Sequence, residues 1–279
     1  MDAGIHTLTS AAYHADPAPE PSLSSSIAGC LISQSPLHAM LRHPRLNANY
    51  QEEESSRFDI GTAAHALLLE RDDSRIVWVP FDDWRSNAAK ELRDTARAQG
   101  NTPVLTKYQR DLQNMVAAAG QAIFRSELSG ILETGTAETS VLWKDGAVWC
   151  RARPDLLSDD RKVVVDYKTT ESAAPDTFIR QIGRMGYDLQ AEWYTRGLTA
   201  VTGHEPQFVF LAQEITAPFA CSLIALSNAY RAVGQHKVEA ALKLWGQCMK
   251  AREWPAYSEK IHYAEPPAWA LSDMIAKEF

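Results

Sequence analysis

Hydrophobic and polar positions change rhythm along the chain, and the changes mark its elements. Residues 1–21 are rich in Ala, Pro and small polar residues and show no sustained period, which predicts a disordered leader. Order is expected from Leu23. The serines at 24–26 offer an N-cap for a short helix ending near Ile32. Ser35 caps a second helix that has Pro36 at its first position. Arg42, His43 and Arg45 end that helix as a basic cluster, read as a solvated helix terminus. A polar link at 52–56 leads to a mostly apolar helix from Phe58 to Glu70. Arg75–Val79 reads as a short strand, and 84–100 as a polar helix without a clear packing face. Leu112, Met115, Val116, Ala119 and Ile123 recur at helical spacing within 106–127.

The period then shortens. Residues 136–143 and 147–153 are β-rich and flank Asp145-Gly146, a strong hairpin signal. The polar turn Ser158–Lys162 leads into Val163-Val164-Val165, a buried-strand pattern. Together these predict a three-stranded antiparallel meander. A long helix is expected over 175–202 and strands over 206–215 and 219–226. Ser227 caps a further helix reaching about Arg252. The aromatic, Pro-punctuated tail 254–271 is expected to pack on the core before a final short helix. The fold class that follows is α/β: a central mixed β-sheet with an antiparallel meander, flanked by helices. Residues 22–279 are read as a single domain, with a helical part at 22–130, a core at 131–226, and a C-terminal helix and tail at 227–279.

Composition narrows this picture. The chain has 279 residues, 45% of them hydrophobic and 23% charged, enough for a sizeable core. No apolar run approaches the ~20 residues of a membrane span, and no secretory signal is evident. A cytoplasmic location without membrane contact is therefore expected. Cys30, Cys150, Cys221 and Cys248 are scattered and form no C-x-x-C pair, which argues against zinc or an iron–sulfur cluster and for free thiols. The net charge of −7 speaks against nucleic-acid binding through bulk positive charge. It leaves room for an acidic site offset by metal ions. Neither G-x-S-x-G nor G-x-x-x-x-G-K-[ST] occurs, so α/β-hydrolase-like and NTP-using readings have little support.

The chemistry gathers where the Val163 run ends. Asp166 and Lys168 are two residues apart on a strand and point the same way. A buried Asp there needs a partner or a metal. Asp155 lies beside the neighbouring strand, and adjacent strands are ~4.8 Å apart, so the two carboxylates can converge. Two hard oxygen ligands beside a lysine suit Mg²⁺ or Mn²⁺ and phosphoryl chemistry. Upstream, Gly61 and His65 share a helix face, where glycine permits close approach to the backbone. Arg151 and Arg153 alternate with Cys150 and Ala152, and either contact phosphate or pair with site acids.

Pro154-Asp155-x(10)-Asp166-Tyr167-Lys168 resembles the PD-(D/E)XK nuclease signature. Gly61-x-x-x-His65 ahead of it and Gln190-x-x-x-Tyr194 after it resemble the first and closing motifs of the RecB-type branch. Leu23-Ser24-Ser25-Ser26, Gly61–His65, Ala137–Val141 and Val165–Thr170 look most like the RecE-type (exonuclease VIII-like) phage and prophage exonucleases. The pattern covers roughly residues 22–270. Relatives that hold an iron–sulfur cluster carry four cysteines around it, an arrangement missing from this sequence.

The resemblance implies a restriction-endonuclease-like core. It implies that His65, Asp155, Asp166 and the backbone carbonyl of Tyr167 hold one or two Mg²⁺ ions, with Mn²⁺ as a substitute. Lys168 would orient or deprotonate a water, with a pKa depressed by two nearby cations. Glu138 would sit near the metal, and Gln190 and Tyr194 would contact DNA or organise the site. The implied activity is a metal-dependent exodeoxyribonuclease working 5′ to 3′ from double-stranded DNA ends, producing single strands for recombination. The implied assembly is a ring-like homotetramer with a single-strand annealing protein as partner. An endonuclease or single-strand nuclease of the same fold is the nearest alternative. A non-catalytic DNA-end binding protein belongs to another class, and the intact His, Asp, Asp, Lys set argues against it.

Overall fold

A computed structural model describes residues 1–50 and 59–267. The polar link at 52–56, the start of the expected helix at Phe58, and the final short helix expected in the tail lie outside the described residues. The first elements are β1 (Gly4–His6), α1 (Ser10–His14), β2 (Leu23–Ser24), α2 (Ser25–Ser33) and α3 (Pro36–Leu41). Then come α4 (Asp59–His65), a π-helical turn (Ala66–Glu70), β3 (Ile76–Val79), α5 (Asn87–Ala98), β4 (Thr102–Leu105), α6 (Gln109–Phe124) and α7 (Ile131–Thr134). The core strands are β5 (Thr136–Ala137), β6 (Ser140–Asp145), β7 (Val148–Ala152), β8 (Leu156–Leu157) and β9 (Val163–Thr170). They are followed by α8 (Pro175–Met185), α9 (Tyr187–Thr202), β10 (Gln207–Glu214), β11 (Cys221–Ala225) and α10 (Asn228–Ala251).

The α/β class with mixed sheets flanked by helices is what the structure shows. A five-stranded sheet runs β11-β10-β9-β8-β5, with β9 and β10 parallel and the other pairs antiparallel. Residues alternate across it, and each face has its own core. Val164, Phe208 and Phe210 pack toward Phe178, Leu189, Trp193 and Trp245. Val165, Tyr167, Val209 and Leu211 pack toward Ala63, Ala64, Leu112 and Met115. A second sheet runs β1-β6-β7-β2, and β3 and β4 pair by themselves.

The serine caps form as expected: Ser24, Ser35 and Ser227 each accept from the backbone N–H three residues on. Five expectations change. The meander divides between sheets: β6 and β7 form the hairpin, but β9 pairs with β8 and β10. Two residues explain the division. Glu138 adopts the left-handed region (φ 54°) and turns the chain from one sheet to the other. Pro154, lacking an N–H, ends the β7 ladder. The long helix over 175–202 is two helices, broken at Gly186 (φ 72°). The tail packs through Trp254 against Trp245, ring centroids 5.0 Å apart, but residues 255–267 are exposed.

The largest change is at the N-terminus. Residues 1–21 are ordered. β1 extends the second sheet along β6, and Thr9 caps α1. Tyr13, Asp16 and Ala18 are buried. Asp16 accepts from the Ser22 backbone N–H at 2.9 Å and from its hydroxyl at 2.5 Å, and it lies 3.3 Å from both Arg151 and His43. The helix-terminus cluster is corrected with it. His43 is fully buried, and Arg45 donates to the Ala18 carbonyl at 2.6 Å. This order comes from partners far along the chain, which local composition does not register.

Candidate active site

β9 carries Asp166 and Lys168 to the face of the sheet that α9 covers. Lys168 Nζ lies 2.5 Å from Asp166 Oδ1 and 5.2 Å from the centre of the Tyr187 ring. On α9, Gln190 Nε2 donates to Asp166 Oδ2 at 3.0 Å and to the Tyr194 hydroxyl at 3.2 Å. The β8 partner of β9 ends opposite Val165, so the next stretch of that strand edge is open. Asp155, just before β8, fills the gap and accepts from the Tyr167 backbone N–H at 2.8 Å. The amide and carbonyl of a strand residue leave on the same edge, so the Tyr167 carbonyl also faces the Asp155 side.

From the opposite side of the sheet edge, α4 delivers His65. Its approach depends on Gly61, because a Cβ there would stand 2.7 Å from Thr169 Oγ1 on β9. His65 Nε2 lies 3.2 Å from Glu138 Oε1 and 3.7 Å from Asp155 Oδ1. His65 Nδ1 lies 3.4 Å from Glu70 Oε1. Five residues apart on an α-helix, two side chains would diverge. The π-helical turn that follows His65 brings Glu70 back to its side. Arg153 pairs with Glu138 and also donates to the Leu8 carbonyl at 3.1 Å and to Ser140 Oγ at 3.0 Å.

Charge crowding shows in the protonation of these groups. Burial and the neighbouring Asp155 push Asp166 up, to about 7. Burial would raise Asp155 too, but hydrogen bonding to His65 and the charge of Lys168 hold it low. Burial raises Glu138 despite Arg153. Burial opposes charge on His65, but Asp155, Glu70 and Glu138 outweigh it and carry the imidazole to about 10. Burial likewise opposes charge on Lys168, and the two aspartates override it and drive its pKa upward. The protein groups alone thus act on Lys168 in the direction opposite to the depression expected beside two metal ions.

The residues fit a divalent ion. Asp166 Oδ1 is buried and makes no well-angled hydrogen bond even with Lys168 close by. A hard cation suits such an oxygen. Donor atoms of His65, Glu70 and Glu138 lie within 4.8 Å of one another, a grouping that leaves out Asp155 and Asp166. The contacts of the imidazole favour a different division. Nδ1 meets Glu70, which orients the ring, and Nε2 faces Glu138 and Asp155. Carboxylates with one imidazole suit Mg²⁺ or Mn²⁺.

Of the residues singled out in the sequence, His65, Glu138, Asp155, Asp166, Lys168 and Gln190 come together. Tyr194 is buried behind Gln190, and Arg153 joins through Glu138. Arg151 does not join them. It is buried, donates to the Ser22 carbonyl at 2.5 Å and pairs with Asp16, so it is no phosphate contact. Sequence reasoning missed Glu70, whose alignment needs the π-turn. It also missed Gln213, which accepts from the Tyr167 hydroxyl and donates to the Met115 carbonyl at 2.9 Å. Nothing in the residue pattern around either one marks it.

A Eubacterium rectale protein of solved structure, named provisionally as an exonuclease, is 15% identical. The match covers 96% of this chain and 98% of that one with a TM-score of 0.61, a likeness of fold. An alkaline exonuclease from Laribacter hongkongensis (17% identical, 68% of this chain and 96% of that one) superposes with a TM-score of 0.29. A phage-related exonuclease from Haemophilus somnus (16% identical, 68% and 95%) gives 0.30. Neither of these two overlaps carries an argument about this chain. No curated protein matches the sequence. Residues 31–267 match the family described as a PDDEXK-like domain of unknown function (DUF3799), and the chain belongs to that family.

Proposed function

We propose that this protein is a metal-dependent exodeoxyribonuclease that degrades linear double-stranded DNA from its ends, 5′ to 3′. The observation that carries the reading is the convergence of His65, Glu138, Asp155, Asp166 and Lys168 around a buried carboxylate oxygen without a good hydrogen bond. His65, Asp155, Asp166 and the Tyr167 carbonyl would hold one or two Mg²⁺ ions, with Glu138 beside them. A bound ion supplies charge neutralisation of the phosphodiester and a lowered pKa for water. Asp166 is oriented by Gln190, and His65 by Glu70. Lys168 would orient or deprotonate the attacking water and stabilise the negative charge that grows on the phosphate.

The finer reading is of a RecE-type enzyme of phage recombination, acting as a homo-oligomeric ring with a single-strand annealing protein. It rests on the sequence resemblance. The test is digestion of linear duplex labelled separately at its 5′ and 3′ ends, with Mg²⁺ and then Mn²⁺. A closed circle and a Lys168→Ala protein run alongside. Loss of label from 5′ ends, with the circle spared and the variant inert, is expected. Cutting of the circle would make the protein an endonuclease. End binding without cleavage in either metal would make it a scaffold.

A further inference from the structure

The two oxygens of the Glu138 carboxylate have different neighbours. Oε2 accepts from Arg153 Nε, and Oε1 lies 3.2 Å from His65 Nε2. The Glu138 backbone N–H donates to the Asp155 carbonyl at 3.0 Å, which ties the main chain to the site and leaves the direction of the side chain to its partners. Arg153 is in turn held from several directions. It meets Glu138, Ser140 Oγ at 3.0 Å, the Leu8 carbonyl at 3.1 Å, and the ring of Tyr13, whose centre lies 5.5 Å from the guanidinium carbon. Leu8 and Tyr13 belong to the N-terminal segment, which β1 sets in register by pairing His6 with Ser140. Tyr13 is buried, and Arg151 lies 5.7 Å from the centre of the same ring. Both arginines are within the ~6 Å reach of cation–π attraction. Each also has its own carboxylate: Asp16 for Arg151 and Glu138 for Arg153.

What the N-terminal segment offers Arg153 is neutral: a carbonyl oxygen and an aromatic face. Such partners orient a guanidinium without competing for its charge, as a second carboxylate would. The charge stays with Glu138, and the planar fork of arginine transmits its own orientation to the carboxylate it binds. Resting on the reading of this site as a divalent-metal centre, we infer that Tyr13 is a positioning residue of that centre, acting through Arg153 on Glu138. With Arg153 fixed, Oε2 is occupied and Oε1 is turned toward the imidazole and Asp155, where an ion would be held. Without the ring, the guanidinium tilts, and the carboxylate loses its direction. The segment that covers Arg151 is therefore also part of the metal site, although it supplies no ligand to it.

The test is a double-mutant cycle on the full chain, with Tyr13→Leu and Glu138→Gln made singly and together and Mn²⁺ affinity read by calorimetry. Tyr13→Leu should weaken Mn²⁺ binding ~10-fold, the lower end for a group that orients a metal ligand. In the Glu138→Gln background the same substitution should change affinity by about twofold or less, because the group it acts through is gone. Tyr13→Phe keeps the ring face and should bind Mn²⁺ as the unmodified chain does. Pentafluorophenylalanine in place of Tyr13 keeps the ring's shape and removes its attraction for a cation. It should weaken Mn²⁺ binding ~3-fold, and it decides the matter if the leucine variant does not fold. Melting curves of the metal-free proteins run alongside. A lowered melting temperature with unchanged Mn²⁺ affinity would make Tyr13 a packing residue and overturn the inference. So would equal weakening in the two backgrounds. Either result, with Mn²⁺ still bound by the unmodified chain, leaves the metal reading standing and removes only the positioning role. An unmodified chain that binds no Mn²⁺ overturns the metal reading, and the inference with it.

Discussion

At the scale of single residues, two carboxylates do opposite work. Glu70 is exposed and matters through the orientation it gives His65. Groups in that position typically change metal affinity 10–100-fold. Glu70→Gln should therefore weaken Mn²⁺ binding by ~10-fold or more in a calorimetric titration, with little change in thermal stability of the metal-free chain. Asp16 is buried and matters to the fold. Burial alone would raise its pKa, but His43, Arg151 and Ser22 bring it below the usual aspartate value. A depressed carboxylate contributes stability that is present above its unfolded pKa and lost as pH falls through the folded one. Asp16 therefore steepens acid unfolding below pH ~4. Asn suits the left-handed backbone at this position (φ 62°), so Asp16→Asn removes the charge without backbone strain. It should cost ~3 kcal/mol at neutral pH, the typical loss when a buried partner is stranded, here Arg151. Urea unfolding at pH 7 and at pH 3 should show the variant closer to the unmodified chain in acid.

At the scale of elements, the packing of α9 on α10 turns on one glycine. A Cβ at Gly234 would stand 2.4 Å from the Asp188 carbonyl oxygen, a backbone atom that cannot move aside cheaply. Helix propensity favours alanine there by ~1 kcal/mol. Overpacking costs ~1–3 kcal/mol, and a backbone clash this close belongs at the upper end. Gly234→Ala should therefore be net destabilising, by ~1–2 kcal/mol in denaturant melts. Helix α10 was legible because its signals are local: Ser227 as cap and an apolar stripe through Val238, Ala241, Leu242 and Trp245. Strand β9 was legible for the same reason, from a β-branched run that ends in charge. Arg151 was misread because alternation along β7 reveals which residues share a face, not what covers that face. Here the N-terminal segment covers it, and that segment has no local signal of its own. The π-turn was illegible because no side-chain pattern in Ala66–Glu70 distinguishes it from an α-helix.

At the scale of the whole molecule, the site joins segments from His65 to Gln190 that meet where β8 ends, between the two faces of one sheet. Glu138, Asp155 and Asp166 are buried or half-buried there, and burial opposes the charge on each. A divalent ion held by these carboxylates stabilises the folded chain by mass action, ~2.7 kcal/mol at a hundredfold excess over Kd. Saturating Mn²⁺ should raise the melting temperature of the unmodified chain by several degrees and leave that of Asp155→Ala nearly unchanged. A scanning fluorimetry series checks both. His65, Asp166, Lys168, Gln190 and Tyr194 stand on the kinds of element predicted for them, whereas Glu138, expected at the start of a strand, lies in the left-handed turn between β5 and β6. What spacing left unspecified was the second sheet and the way its N-terminal strand reaches the Arg153–Glu138 pair.

That reach carries a consequence for how the protein is made. Gly4 pairs with Leu142, and the Leu8 carbonyl receives Arg153, so the first strand emerges from the ribosome long before either partner exists. At ~5–20 residues per second the wait is on the order of ten seconds. During that interval the nascent segment has no native sheet to join and depends on the crowded surface around the exit tunnel. The acidic centre cannot close until residue 153 and then residue 190 have followed. A chain stalled or cleaved before residue 153 holds His65, Glu70 and Glu138 and neither aspartate of the site.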